Sequence, residues 1–253
     1  MPPDPLHDWA AWQLPCRKKP RLLRELTGGH SNRTYLIDMD GQLCALRRGS
    51  ARATDMGIDR VREQGILELA SAAGLAPRVV YCAPEHDVLI SDYIEGRHLA
   101  PPEGDDAEYF SRLLATLNAV HKLGTDLVAF DYYQHAEHYW RLLLERQATI
   151  SDELYRQRET LLPTLLRVSG ATTLCHHDPT PANLVATPGK LYFLDWEYAA
   201  PGWAALDYAA LGLEWQLDPP KVAAAAAIDV DEFALASEVY RYFCDLWDGV
   251  QAS

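Results

Sequence analysis

The hydrophobic period changes once along this chain, near residue 95, and that switch narrows the folds open to it more than any other feature. Residues 20–26, 33–39 and 42–48 are short runs rich in β-formers, and DMDG at 38–41 is a hairpin turn signal between the second and third. Residues 57–74 carry apolar side chains at helical spacing, with Gly74 as the expected stop. Two more strand-like runs follow at 78–83 and 87–94. Beyond the linking segment EGRHLAPPEGDD (95–106) the pattern is helical, over 105–123, 135–150, 151–168, 202–215 and 229–247, and AAAAA at 223–227 reads as helix or linker. A strand-rich part followed by a helix-rich part predicts an α+β architecture of two lobes: five strands and one helix in 1–95, then a mostly helical lobe over 96–253.

Bulk properties agree with a packed enzyme-sized unit. The 253 residues fit one large domain or two joined lobes at roughly 100–200 residues per domain. No apolar run approaches the roughly 20 residues of a membrane span. The opening MPPDPLHDWAAWQLPC lacks the charged start and apolar core of a signal peptide, so a cytoplasmic protein with no membrane partner is expected. Cysteines at 16, 44, 82, 175 and 244 form no C-x-x-C pair, which indicates neither a disulfide framework nor a zinc knuckle. A net charge of −13 argues against a nucleic-acid partner and permits a cationic small molecule. Nothing in the sequence fixes an oligomeric state.

The chemistry concentrates in CHHDPTPANLVATPGKLYFLDWEY, residues 175–198. Two readings compete. His176, His177 and Asp178 could begin a metal-hydrolase centre, with His121, His135 and His138 as further ligands. Alternatively, 184–186 and 190–195 form a hairpin around TPG that returns Asp195 to the side of Asn183. A carboxylate and an amide oxygen are hard ligands of the kind Mg²⁺ takes beside substrate phosphates. Asp178 is then free to accept, or orient, the proton of an attacking hydroxyl.

The spacing H-x-D-x-x-x-x-N with a later metal aspartate is that of kinase-type catalytic loops. LCHHDPTPANLV and FLDWEYA resemble, more specifically, the choline/thiamine kinase branch of the aminoglycoside phosphotransferase-like superfamily. That resemblance implies a protein-kinase-like two-lobe fold with ATP as co-substrate and Mg²⁺ as cofactor. It implies Asp178 as catalytic base, Asn183 and Asp195 as metal ligands, Glu197 as an auxiliary acid, and His176 as a hydrogen-bonded brace of the loop. It extends to LTGGHSNRTYLI (26–37), whose Gly28, Gly29, Ser31 and Asn32 match a nucleotide loop. Arg47 on the third strand matches the phosphate anchor; Arg48, its neighbour, must face the other way. Glu63 matches the helix partner of that cation, with Glu68 as competitor. LISDYIEGRHL (89–99) resembles the hinge, in which Asp92, Tyr93 and Ile94 would meet adenine. Asp207, in WAALDYA, would anchor the metal loop or its helix. Pro179-Thr180 and Ala182 depart from the family's usual loop residues.

For the acceptor, residues 191–220 contain Asp195, Glu197, Asp207, Glu214 and Asp218, six Tyr or Trp residues, and no Lys or Arg. Acidic and aromatic groups together suit an organic cation, at about 0.5–2 kcal/mol per ring. Tyr139, Trp140, Trp196, Trp203 and Trp215 are the candidate wall, although packing in the core competes for these aromatics. Thiamine, choline, ethanolamine or an aminoglycoside is favoured over an anionic sugar acid. The chain ends soon after the 229–247 helix, so a shortened acceptor wall is expected. The rival functions are an aminoglycoside-type phosphotransferase, a phosphohydrolase using His177 and Asp178, and an inactive pseudokinase that only binds.

Overall fold

The computed structural model describes residues 4–26, 32–49, 55–101, 103 and 106–253. Five antiparallel strands, β1 (Arg21–Leu26), β2 (Asn32–Met39), β3 (Gln42–Gly49), β4 (Val79–Ala83) and β5 (Val88–Asp92), form a sheet in the order β1-β2-β3-β5-β4. The β2–β3 turn uses Asp40 and Gly41 at φ 51° and 93°, the left-handed pair that a two-residue hairpin requires. Alternation gives the sheet two faces. Tyr35, Ile37, Met39, Cys44, Leu46, Val88 and Ile90 point to one side, where Leu6 and Trp12 of the N-terminal segment cover them. Arg48 lies on that side, paired with Asp8 at 3.2 Å and over the Trp12 ring. Arg47 therefore faces the opposite side, toward α1 (Arg60–Ala72).

Helix α1 starts later than its periodicity suggests, because Gly57 is left-handed (φ 68°) and Asp59 caps the helix by accepting from the Val61 and Arg62 amides. Its end at Ala72, followed by Gly74 at φ 70°, matches the expected stop. The expected link is not simply loop: β6 (Arg97–His98) pairs with β8 (Leu184–Ala186), which pairs in turn with β9 (Leu191–Phe193).

The C-terminal part is helical. It contains α2 (Ala107–His121), α3 (Tyr132–Glu145), α4 (Asp152–Val168), α5 (Ala204–Glu214), α6 (Pro219–Ala226) and α7 (Val230–Ala252). Asp106, Asp131, Ser151 and Asp229 cap α2, α3, α4 and α7 with their side chains. Asp131 explains why α3 begins before residue 135. The helix expected from residue 202 begins later, at Ala204, because Ala200–Gly202 form β10 against β7 (Thr173–Cys175). At Gly202 any side chain would collide with the Tyr132 hydroxyl and the His177 ring. The alanine run ends α6, and α7 continues past residue 247 to Ala252. One core joins α1 to the C-terminal helices and hairpin, including Ile66, Leu117, Phe193, Trp196, Leu211 and Leu246.

Candidate active site

The loop after β7 is fixed from below by one carboxylate. Asp207, fully buried on α5, accepts the backbone N–H of His176 at 2.8 Å and of His177 at 2.7 Å, and meets His121 Nε2 of α2 at 2.9 Å. Burial opposes its ionisation, but the hydrogen bond with His121 leads the effects that hold its pKa below the usual carboxylate range. His176 braces the loop sideways: its Nε2 lies 3.0 Å from the Leu194 carbonyl, and its Nδ1 accepts the Asp178 N–H. Burial lowers its pKa to about 4, which keeps the ring neutral, donating through Nε2 and accepting through Nδ1.

Asp178 and Asn183 meet directly. Asn183 Nδ2 donates to Asp178 Oδ2 at 2.6 Å across the 3-10 turn Pro181–Asn183, which leaves the amide oxygen for another partner. The hairpin returns the chain as the sequence suggests, with Leu194 N–H donating to the Asn183 carbonyl at 2.8 Å. Asp195 follows in a left-handed conformation (φ 55°), and its Oδ1 lies 3.4 Å from Arg47 Nη1. Arg47 grips Glu63 with both terminal nitrogens, whereas Glu68 is exposed. Glu197 is buried and accepts from Asn32 Nδ2 at 2.7 Å and from Arg60 Nη1 at 3.0 Å.

These groups suit a divalent cation. Burial and then the Glu197 charge push the Asp195 carboxyl well above its ordinary pKa. Burial, Glu197 and Glu214 raise Asp178 to about 7. Two hard oxygen donors on a carboxylate-rich wall are what an Mg²⁺ site offers.

The structure brings Asp178, Asn183, Asp195, Glu197, Asn32, Arg47 and Glu63 to one cleft. Gly28, Gly29 and Ser31 lie outside the described residues. Asp92, Tyr93 and Ile94 line an open recess with Gln42, Leu43 and Glu95. There the Asp92 side chain is occupied by Gln42 and Arg78, and the Tyr93 N–H by the Leu43 carbonyl.

The hydrolase constellation is not assembled. His177 Nδ1 lies 2.9 Å from the Tyr198 carbonyl and its Nε2 2.7 Å from the Tyr132 hydroxyl. His138 bonds the Asp55 carbonyl and Arg141, and His135 is held neutral by burial, with a pKa of about 3. His121, Cys175 and Asp207 lie close enough for a metal, but both Asp207 oxygens are committed to the loop amides.

The aromatic acceptor wall needs correction. Trp196 and Trp215 are 1% and 0% exposed, Tyr139 and Trp140 2% and 4%, and Trp203 8%. Trp196, Trp203 and Trp215 spend their indole N–H on the Phe193 carbonyl, Glu232 and the Pro179 carbonyl. Trp140 lies under Arg158. These side chains support the site from behind, because burying a large ring contributes more than leaving it at a wet pocket. The half-buried groups near Asp178 lie elsewhere. Glu214, at the end of α5, accepts from Tyr240 of α7 at 3.0 Å. The Asp178 and Glu214 charges help burial push the Tyr240 hydroxyl up and the Cys244 thiol to about 12. Trp247 hydrogen-bonds Tyr198. The sequence counts Glu214 only among the acidic residues, and the helix expected at 229–247 supplies no candidate site residue. The available signal was Tyr240, Cys244 and Trp247 recurring at helical spacing in YRYFCDLW.

Residues 22–241 match the Phosphotransferase enzyme family (APH), and the chain belongs to that family. Human ethanolamine kinase 2 is 24% identical over 206 residues, covering 75% of this chain and 52% of that protein. Mouse ethanolamine kinase 2 is 23% identical over 184 residues, covering 68% and 47%. The chain thus spans about half the length of these curated relatives. Choline kinase LicA from Streptococcus pneumoniae shares the fold, with a TM-score of 0.76 at 22% identity over 91% of this chain and 86% of that one. The architecture is a two-lobed kinase-like α+β fold, and no helix among the described residues is long and apolar enough to cross a membrane.

Proposed function

We propose that the protein is a small-molecule kinase that moves the γ-phosphoryl group of ATP to the hydroxyl of a small amino alcohol, ethanolamine or choline. The observation that carries this reading is the convergence, in one cleft, of Asp178 bonded to Asn183 and of Asp195 facing the Arg47–Glu63 pair. The names of the relatives, ethanolamine kinase and choline kinase, support the acceptor class.

In this reading the acceptor oxygen attacks the γ-phosphorus, the bond to the β–γ bridging oxygen breaks, and ADP leaves. Asp178 receives the hydroxyl proton; burial has already raised its carboxyl to about 7, which suits a base working near neutrality. Its bond from Asn183 fixes which oxygen faces the acceptor. Arg47, held flat by Glu63, pairs with the nucleotide phosphates as a forked donor. Asn183 and Asp195 would hold Mg²⁺, which when bound offsets the phosphate charge. Glu214 and the Tyr240 hydroxyl form the acidic, hydrogen-bonding end that would receive the acceptor ammonium. Aminoglycoside and spectinomycin phosphotransferases share the fold at lower TM-scores, 0.54 and 0.63, and the thiamine and hydrolase readings lack a comparable observation. ADP release measured with ethanolamine, choline, thiamine and an aminoglycoside tests the proposal. Mg²⁺-dependent release with ethanolamine or choline is expected, and it should vanish in Asp195→Ala. Phosphate release without any acceptor, or turnover confined to aminoglycosides, would defeat it.

A further inference from the structure

Arg60 enters no motif, yet it is the most connected cation in the cleft. It sits in the first turn of α1 with a side chain only 10% exposed. Its Nη1 lies 2.9 Å from Glu63 Oε2 and 3.0 Å from Glu197 Oε2, its Nη2 donates to Asn32 Oδ1 at 2.8 Å, and its Nε forms an ion pair with Asp87 at 2.7 Å. Asn32 closes a ring, since its Nδ2 donates to the same Glu197 oxygen that Arg60 holds. Arg60, Asn32 and Glu197 are thus bonded pairwise, and they come from α1, from the start of β2, and from the turn two residues past Asp195. The guanidinium also fixes which way the Asn32 amide points, because only its oxygen can accept from Arg60.

We propose that Arg60 is a positioning residue for nucleotide binding: it locks Asn32, at the start of β2, onto Glu197 and sets the Glu63 carboxylate for Arg47. This rests on the kinase reading above. The planar fork is essential, since four partners in different directions must be met by one group. A lysine brings the charge as a single point and cannot hold Asn32, Glu197 and Asp87 together. The buried carboxylates Glu63 and Glu197 also need the charge, since removing one partner of a buried pair is strongly destabilising. Arg60→Lys, which keeps the charge, is therefore the informative change.

The test is calorimetric titration of ADP into the full chain, with and without Mg²⁺, alongside ATP and ethanolamine kinetics. Arg60→Lys should weaken ADP about tenfold and raise the ATP KM equally, with the ethanolamine KM unchanged. Asp87→Asn, which removes the charge paired with Arg60 Nε, should weaken ADP about threefold. Asn32→Ala should cost less in the Arg60→Lys background than in the wild type, as residues acting through one contact do. Wild-type ADP affinity in both Arg60→Lys and Asp87→Asn, or fully multiplicative effects of Asn32→Ala and Arg60→Lys, overturns the proposal. If Arg60→Lys melts early and cannot be titrated, Asp87→Asn decides: a threefold loss upholds it and wild-type affinity overturns it. A wild-type chain that binds no ADP removes the kinase reading, and this inference falls with it.

Discussion

Asp178 carries a conflict between burial and charge. Its folded pKa of about 7 lies above the roughly 3.9 of an unfolded aspartate. The folded chain therefore binds this proton more tightly than the unfolded chain, and the group lowers stability as pH rises from about 4 to about 7. Asp178→Asn removes that penalty. In chemical denaturation without Mg²⁺ the variant should exceed the wild type by about 2 kcal/mol at pH 8, with the gap closing toward pH 4. An equal gap at both pH values would contradict the buried-carboxyl account. The same variant should retain ADP binding while losing phosphoryl transfer by about 10²–10⁴-fold. The role expected of Asp178 is a matter of residue type and spacing. Its raised pKa is not, because burial, Glu197 and Glu214 act on it only in the folded chain.

At the scale of elements, the loop after β7 is suspended between α2, α5 and the β8–β9 hairpin. Asp207 is its main fastening, so Asp207→Ala leaves two buried amides and His121 without their acceptor and should cost about 3 kcal/mol or more. Asp207→Asn preserves one acceptor oxygen and should cost less. If urea midpoints for the two variants coincide with the wild type, the loop is held by something else. Strand and helix types were legible from period alone, and the hairpin closing on Asn183 from its TPG turn. Other features escaped. β6 is two residues of the expected link, too short to have a period, and it exists because β8 offers it an edge. The expected helix at 202–215 took in Gly202, the last residue of β10, because the apolar run continues unbroken into α5; pairing with β7 overrides that local preference.

Across the whole molecule, α1 is tied to the helical part at both ends. Before it, the Asp55 carbonyl meets His138, its carboxylate pairs with Arg146 at 2.6 Å, and the Met56 carbonyl accepts from Tyr139. Beyond it, the Leu75 carbonyl accepts the Phe193 N–H at 2.9 Å. The two lobes should therefore unfold together, with circular dichroism and tryptophan fluorescence tracing one urea transition; two separated transitions would show the sheet to be independent. A ligand that spans both lobes should shift that transition. At 100 times its Kd, Mg-ADP should add about 2.7 kcal/mol, and Asp195→Ala should reduce the gain.

The sequence by itself determined the two-lobe class, the main strands and helices and the candidate catalytic string, because period, turn chemistry and spacing are local properties of the chain. Tertiary structure decided what those residues meet. It sent Trp196, Trp203 and Trp215 into the core, where large rings gain most from leaving water, and left Glu214, Tyr240 and Cys244 beside Asp178. It also made Arg60 central, joining Asn32 to a carboxylate 165 residues along the chain, a relation that no local pattern encodes.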